Sequence, residues 1–187
     1  YNVRAIASIV VPLICALLLY AFFVPEVPTR AEATGLGNLW LALHVIFSLL
    51  GNLAFAILFL VGVIYLVQER QLKSKHIGQL FRLLPSLGTL DHIGYHSLVL
   101  GFPLFTIGMV SGAVRAHYVW GSFWNWADPI ELWSLIAWLI YAVMLQARLT
   151  VGWRGRRAAI LSMFGFAAVV LTFVSLYLFM ERFHRAS

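Results

Sequence analysis

Residues 40–67 read WLALHVIFSLLGNLAFAILFLVGVIYLV, twenty-eight consecutive positions without one charged side chain. A helix rises about 1.5 Å per residue, so about 20 apolar residues cross the hydrocarbon core of a bilayer, and this run exceeds that length. Only a structure that satisfies its own backbone hydrogen bonds survives in lipid, which makes the run a membrane helix. Four further stretches meet the same test: 5–24, 93–114, 130–147 and 158–180. The first lacks a small-residue cleavage motif and is read as a span rather than a removable leader. Pro12 and Pro103 lie inside spans, where neighbouring helices can satisfy the freed carbonyls.

Composition agrees with this reading. The 187 residues are 62% hydrophobic and 11% charged, whereas a soluble domain runs near half and a quarter. Seven Trp, seven Tyr and fourteen Phe exclude a disordered chain. The single cysteine, Cys15, excludes a disulfide framework, an iron–sulfur cluster, a cysteine zinc site and a CxxCH haem attachment motif within the chain. The formal charge of +6 is scattered between apolar blocks and forms no continuous basic face, so no nucleic-acid partner is expected.

The expected fold is therefore all-α: a polytopic membrane helix bundle of five spans, one transmembrane domain over 1–187. Lys and Arg set its direction. Arg4, Arg70, Lys73, Lys75, Arg82, Arg148, Arg154, Arg156 and Arg157 fall on one side of the five-span scheme, against Arg30, Arg115, Arg182 and Arg185 on the other. The positive-inside rule then puts the N-terminus in the cytoplasm and the C-terminus outside. The chain opens on Tyr1 rather than Met, so an N-terminal part is expected to precede it. The segment 71–93, amphipathic at its start and broken at Pro85, is expected to lie along the inner interface.

Four of the seven tryptophans crowd into WGSFWNWADPIELW, residues 120–133. An aromatic belt explains one or two Trp per helix end. Trp120, Trp124, Trp126 and Trp133 together with Phe123 suggest instead a flat apolar surface suited to a large planar ligand. Gly121 lets the backbone approach closely. Asp128 ahead of Pro129 either caps the fourth span or touches the ligand.

Of the six histidines, His44, His117 and His184 fall at the same outer layer as this loop. His76, His92 and His96 fall towards the inner side. A lone histidine in an apolar helix is ordinarily a hydrogen-bonded core residue. Two imidazoles on opposite faces of an indole-lined slot, however, form a haem site. Arg115 is either a partner for a propionate carboxylate or an interfacial arginine that snorkels to the headgroups.

The stretch WGSFWNWADPIELWSLIAWLIYAVML resembles the tryptophan-rich WWD signature of the cytochrome c assembly proteins. The blocks LWLALHV, LDHIGYHSLVLGFPLFTIGMVSGAV and ARLTVGWRGRRAAIL resemble the CcsA/ResC branch of the System II cytochrome c synthase, over about 38–187. The resemblance implies a bacterial inner-membrane protein that holds haem b at the periplasmic face for covalent attachment to apocytochrome c, together with a ResB/CcsB-type subunit. It implies His44 and His184 as axial iron ligands, and Trp120, Gly121, Trp124, Trp126, Asp128 and Pro129 as the haem platform. No residue is assigned acid–base catalysis; the task is positioning within a synthase.

Two departures from the family pattern stand out. Ala127 separates Trp126 from Asp128, which favours the cap reading of the aspartate. Gln146 occupies the place where relatives carry a histidine at the end of the fourth span, and His96 is a weak substitute. A HemX-like regulator of haem biosynthesis is the alternative function. A quinol-oxidising cytochrome b-like carrier would need paired histidines within the membrane, and a solute transporter intramembrane charges; neither pattern is present.

Overall fold

The computed structural model describes residues 35–74 and 84–186, with side chains over 39–74, 84–118 and 121–178. Four α-helices make up the described chain, and no strand occurs among the described residues. They are α1 (Gly35–Lys73), α2 (Leu87–Trp120), α3 (Pro129–Gln146) and α4 (Arg156–Ala186). A π-helical turn, Ala147–Val151, separates α3 from α4. Each helix is long and apolar enough to cross a bilayer, so the protein is a multi-pass membrane protein. The span expected over 5–24 lies outside the described residues.

Helix ends differ from the apolar runs by up to two turns, because polar side chains at the water interface continue a helix that apolar content alone would stop. The expected interfacial segment over 71–93 needs correcting at both ends. Residues 71–73 still belong to α1, and Ser86 caps α2, accepting the Thr89 backbone N–H on its hydroxyl at 3.2 Å, so 87–93 are already in the helix. His92 therefore sits in the second turn of α2. Pro103 lies within α2, which continues past it to Trp120.

The α1–α2 pair forms the tightest seam. A Cβ placed on Gly51 would lie 2.7 Å from the Phe105 backbone nitrogen, and one on Gly101 would lie 2.8 Å from the Ala54 methyl carbon. A Cβ on Gly108 would strike Ser48, and one on Gly112 would strike His44. These pairings run backwards along α2 as α1 advances, so the helices are antiparallel. Membrane helices gain no hydrophobic drive from leaving lipid, and close backbone approach through small residues supplies the packing instead.

The remaining helices join through aromatic contacts. Tyr141 of α3 is fully buried and stacked on Phe55 of α1 at 3.6 Å, with Gly165 of α4 making room for its ring. Phe59 of α1 stacks on Phe166 of α4 at 4.5 Å. Trp138 donates its indole N–H to the Thr106 hydroxyl at 3.0 Å, tying α3 to α2. Leu100, Val143 and Phe164 stay exposed, as lipid-facing side chains do.

Candidate functional site

One end of the bundle carries the start of α1, the end of α2, the start of α3 and the end of α4. There the tryptophan loop, residues 121–128, connects α2 to α3. Gly121 ends α2 in the left-handed conformation (φ 73°) and donates its N–H to the His117 carbonyl at 2.9 Å. That backbone region disfavours residues with a Cβ, so glycine is required by the turn itself.

Short polar side chains then organise the loop locally. The Ser122 hydroxyl donates to the Trp124 carbonyl at 2.9 Å, and the Asn125 side-chain oxygen accepts from the Ala127 N–H at 3.1 Å. Asp128 is the N-cap of α3, accepting the Ile130 N–H at 2.8 Å, with Pro129 at the first helical position. This is the capping role, set by a fixed proline φ and an orphan donor one residue on. Asp128→Ala should lower stability by about 1 kcal/mol in thermal unfolding, while Asp128→Asn should stay close to the parent protein.

Two aromatic side chains of the loop stand out from the surface. Trp126 is 71% exposed and Phe123 56%. Trp124 and Trp126 have ring centroids 6.1 Å apart at 58°, and His117 stacks flat on Phe123 at 4.1 Å. The Trp124 indole nitrogen is buried without a hydrogen-bond partner among the described residues. A pocket of about 290 Å³, lined by Ser122, Trp124, Asn125 and Glu131, opens beside it. Of Trp120, the backbone closes α2.

His44 is held differently. Its Nδ1 lies 2.7 Å from the Gly108 carbonyl, which fixes the proton on Nδ1 and leaves the Nε2 lone pair available. Gly112 supplies the space: a Cβ there would sit 2.5 Å from Nδ1 and 2.8 Å from Cε1 of the imidazole. His44 thus lies at the level of Gly112, deeper than His117, and the eight residues from Gly112 to Trp120 span about 12 Å. Arg115 follows Gly112 by one turn, half-buried, and among the described residues it forms no ion pair. Position 184 falls in the last turn of α4.

The opposite end holds a pairing that the sequence does not disclose. Arg148, in the π-helical turn, donates to the Asp91 carboxylate at 2.8 Å and to the Asp91 carbonyl at 3.1 Å. The other carboxylate oxygen accepts the Gly155 N–H at 2.9 Å, and the guanidinium lies 5.2 Å from the Tyr95 ring centroid. No periodicity joins residues fifty-seven apart, so no signal in the sequence marks this pair. His92 and His96 lie one turn apart on the exposed face nearby, their rings 4.2 Å apart and tilted by 43°. Gln146, the last residue of α3, is exposed.

Comparison with known proteins identifies this architecture. The family model described as "Cytochrome C assembly protein" matches residues 1–184. The chain belongs to the cytochrome c assembly protein family. Among curated relatives, the cytochrome c biogenesis protein CcsA of Chlamydomonas reinhardtii is 33% identical over 186 residues, covering 97% of this chain and 51% of the relative. That of Heterosigma akashiwo is 35% identical over 202 residues, covering 89% and 62%. That of Trichormus variabilis is 50% identical over 96 residues, covering 51% and 27%. This cytochrome c assembly protein therefore spans about half to three fifths of the length of the first relatives it matches. No solved structure matches it.

Proposed function

We propose that this protein holds haem b, its substrate, at the outer face of the bacterial inner membrane for covalent attachment to apocytochrome c. The observation that carries this reading is His44. A metal-binding histidine characteristically gives its other ring N–H to a carbonyl or carboxylate, which fixes the tautomer and raises ligand basicity. The Nδ1 contact with Gly108 supplies that arrangement ready-made.

His184 is the second axial ligand. The register of α1 against α4 supports the pairing. From the stacked Phe59 and Phe166, His44 lies fifteen residues back along α1 and His184 eighteen residues on along α4. At the helical rise these are about 22 and 27 Å in the same direction, a difference of about one turn. Eighteen residues are also five full turns, which puts position 184 on the stripe of α4 that carries Phe166.

Trp120, Gly121, Trp124, Trp126, Asp128 and Pro129 form the platform; Asp128 and Pro129 contribute through the helix start. Arg115 neutralises a propionate. Haem supplies the reacting vinyl groups, and each thioether forms by addition of a cysteine S–H of the apocytochrome across one vinyl double bond. The protein's part is to fix the iron and propionates while the vinyl edge stays open, which is catalysis by positioning. A ResB/CcsB-type membrane subunit is the partner, with the N-terminus inside and the C-terminus outside.

Purified protein should show a low-spin bis-histidine absorption spectrum, oxidised and after dithionite. The double variant His44→Ala/His184→Ala should lose it, and added imidazole should restore it. Haem content and spectrum unchanged in the double variant would overturn the assignment. Gln146 favours one second reading, a HemX-like regulator of haem biosynthesis, because an exposed amide is a poor iron ligand where the family resemblance implies a histidine. Complementation separates the two: only the first reading restores c-type cytochromes to a strain lacking the synthase subunit.

A further inference from the structure

We infer that Glu131 is the positioning residue of the tryptophan platform, a role that rests on the haem-holding reading above. Glu131 is the third residue of α3 after its N-cap Asp128. In the common capping box such a glutamate turns back to the N–H of the cap residue. Here that donor is taken: the Asp128 N–H is given to the Asn125 carbonyl at 3.0 Å. The Glu131 carboxylate reaches three residues further and accepts the backbone N–H of Asn125.

Asn125 is the residue between Trp124 and Trp126, so this bond sets the height and angle at which both indoles leave the chain. Every other polar side-chain contact in the loop is made across two residues and shapes a local turn. Glu131 alone among these connects the middle of the loop to the rigid body of a spanning helix. The acceptor is a carboxylate at a helix N-terminus, where the dipole favours an acidic side chain and hydrogen bonds to carboxylates are strong. The buried Trp124 indole N–H, left without a partner beside the pocket that Glu131 lines, shows what the bond holds against. A free loop would turn that donor towards water. Fixed by Glu131, it stays buried while the neighbouring Trp126 is 71% exposed.

The test uses the full chain in detergent, with Glu131→Ala and Glu131→Gln. Glutamine keeps an acceptor oxygen; alanine does not. Two indoles 6.1 Å apart at 58° couple as an exciton pair in circular dichroism, and Trp124→Phe identifies that band among the seven tryptophans. On haem-free protein, Glu131→Ala should abolish the couplet with helical content unchanged, while Glu131→Gln keeps it. On loaded protein, haem occupancy should fall about tenfold in the alanine variant and stay within about twofold of the parent in the glutamine variant. A couplet that survives in Glu131→Ala, or that Glu131→Gln loses as fully, overturns the inference. The couplet does not involve haem, so a parent protein that binds none would refute the proposed function and leave this test standing.

Discussion

Gly112→Ala should purify folded and nearly devoid of low-spin haem, although it adds a single methyl group. The added Cβ would lie 2.5 Å from Nδ1 of His44, a separation that real contacts do not tolerate. The neighbour is a side chain that can rotate, so the helix pair need not separate and the stability cost stays small. The rotation, however, breaks the 2.7 Å bond to Gly108 and carries Nε2 away from its axis. Loss of such an outer-shell partner typically weakens metal affinity about 10- to 100-fold. Two comparisons isolate the cause. At Gly51 the added Cβ would meet the Phe105 backbone nitrogen at 2.7 Å and its Cα at 2.8 Å. There α1 and α2 themselves must part, and Gly51→Ala should cost about 1–3 kcal/mol in thermal unfolding. At Gly88 the nearest atom is the Ser86 hydroxyl at 3.9 Å, and alanine should be silent in both assays. Wild-type haem content in Gly112→Ala would remove His44 from the ligand set.

The contrast between Gly112 and its glycine neighbours shows what a sequence of this kind discloses. The spans of α1, α2, α3 and α4 were legible because lipid imposes one requirement on every residue of a run, and a run is visible in one dimension. Asp128 as a cap was legible for a related reason: aspartate, proline and the start of an apolar run are adjacent, so the physics is local. The tie between His44 and Gly108 joins positions sixty-four apart and depends on which face of α2 meets α1. Gly94, Gly101 and Gly108 recur every seven residues, which marks a face for close packing without saying which helix fills it. Glu131 was not legible. Its spacing from Asp128 fits a capping box, but the Asp128 N–H is already occupied, and only the folded loop shows the carboxylate reaching Asn125 instead.

Asp91→Ala should destabilise the bundle by about 3–5 kcal/mol, the range for stripping the partner from a buried charge, and Arg148→Ala by less. The Arg148 side chain is 5% exposed, so its charge has little access to water once Asp91 is gone, whereas Asp91 at 20% keeps partial access when Arg148 is removed. The remaining contacts make the removal worse. Without Asp91 the Gly155 N–H loses its acceptor just where α4 begins, at a residue held at φ 64° with Tyr65 packed against it. Without Arg148 the Asp91 carboxylate keeps only that N–H, and the π-helical turn loses its anchor to α2. The double variant should cost less than the two singles added, by about 1–3 kcal/mol, because each single already leaves an uncompensated charge that the double does not contain. Strict additivity in thermal or denaturant unfolding would show that the pair is not coupled. The haem spectrum of the folded fraction supplies an independent check. Asp91 lies twenty-one residues of α2 from Gly112, about 31 Å along the helix. These variants should therefore lower the yield of folded protein and leave the absorption bands of what remains in place, the reverse of Gly112→Ala.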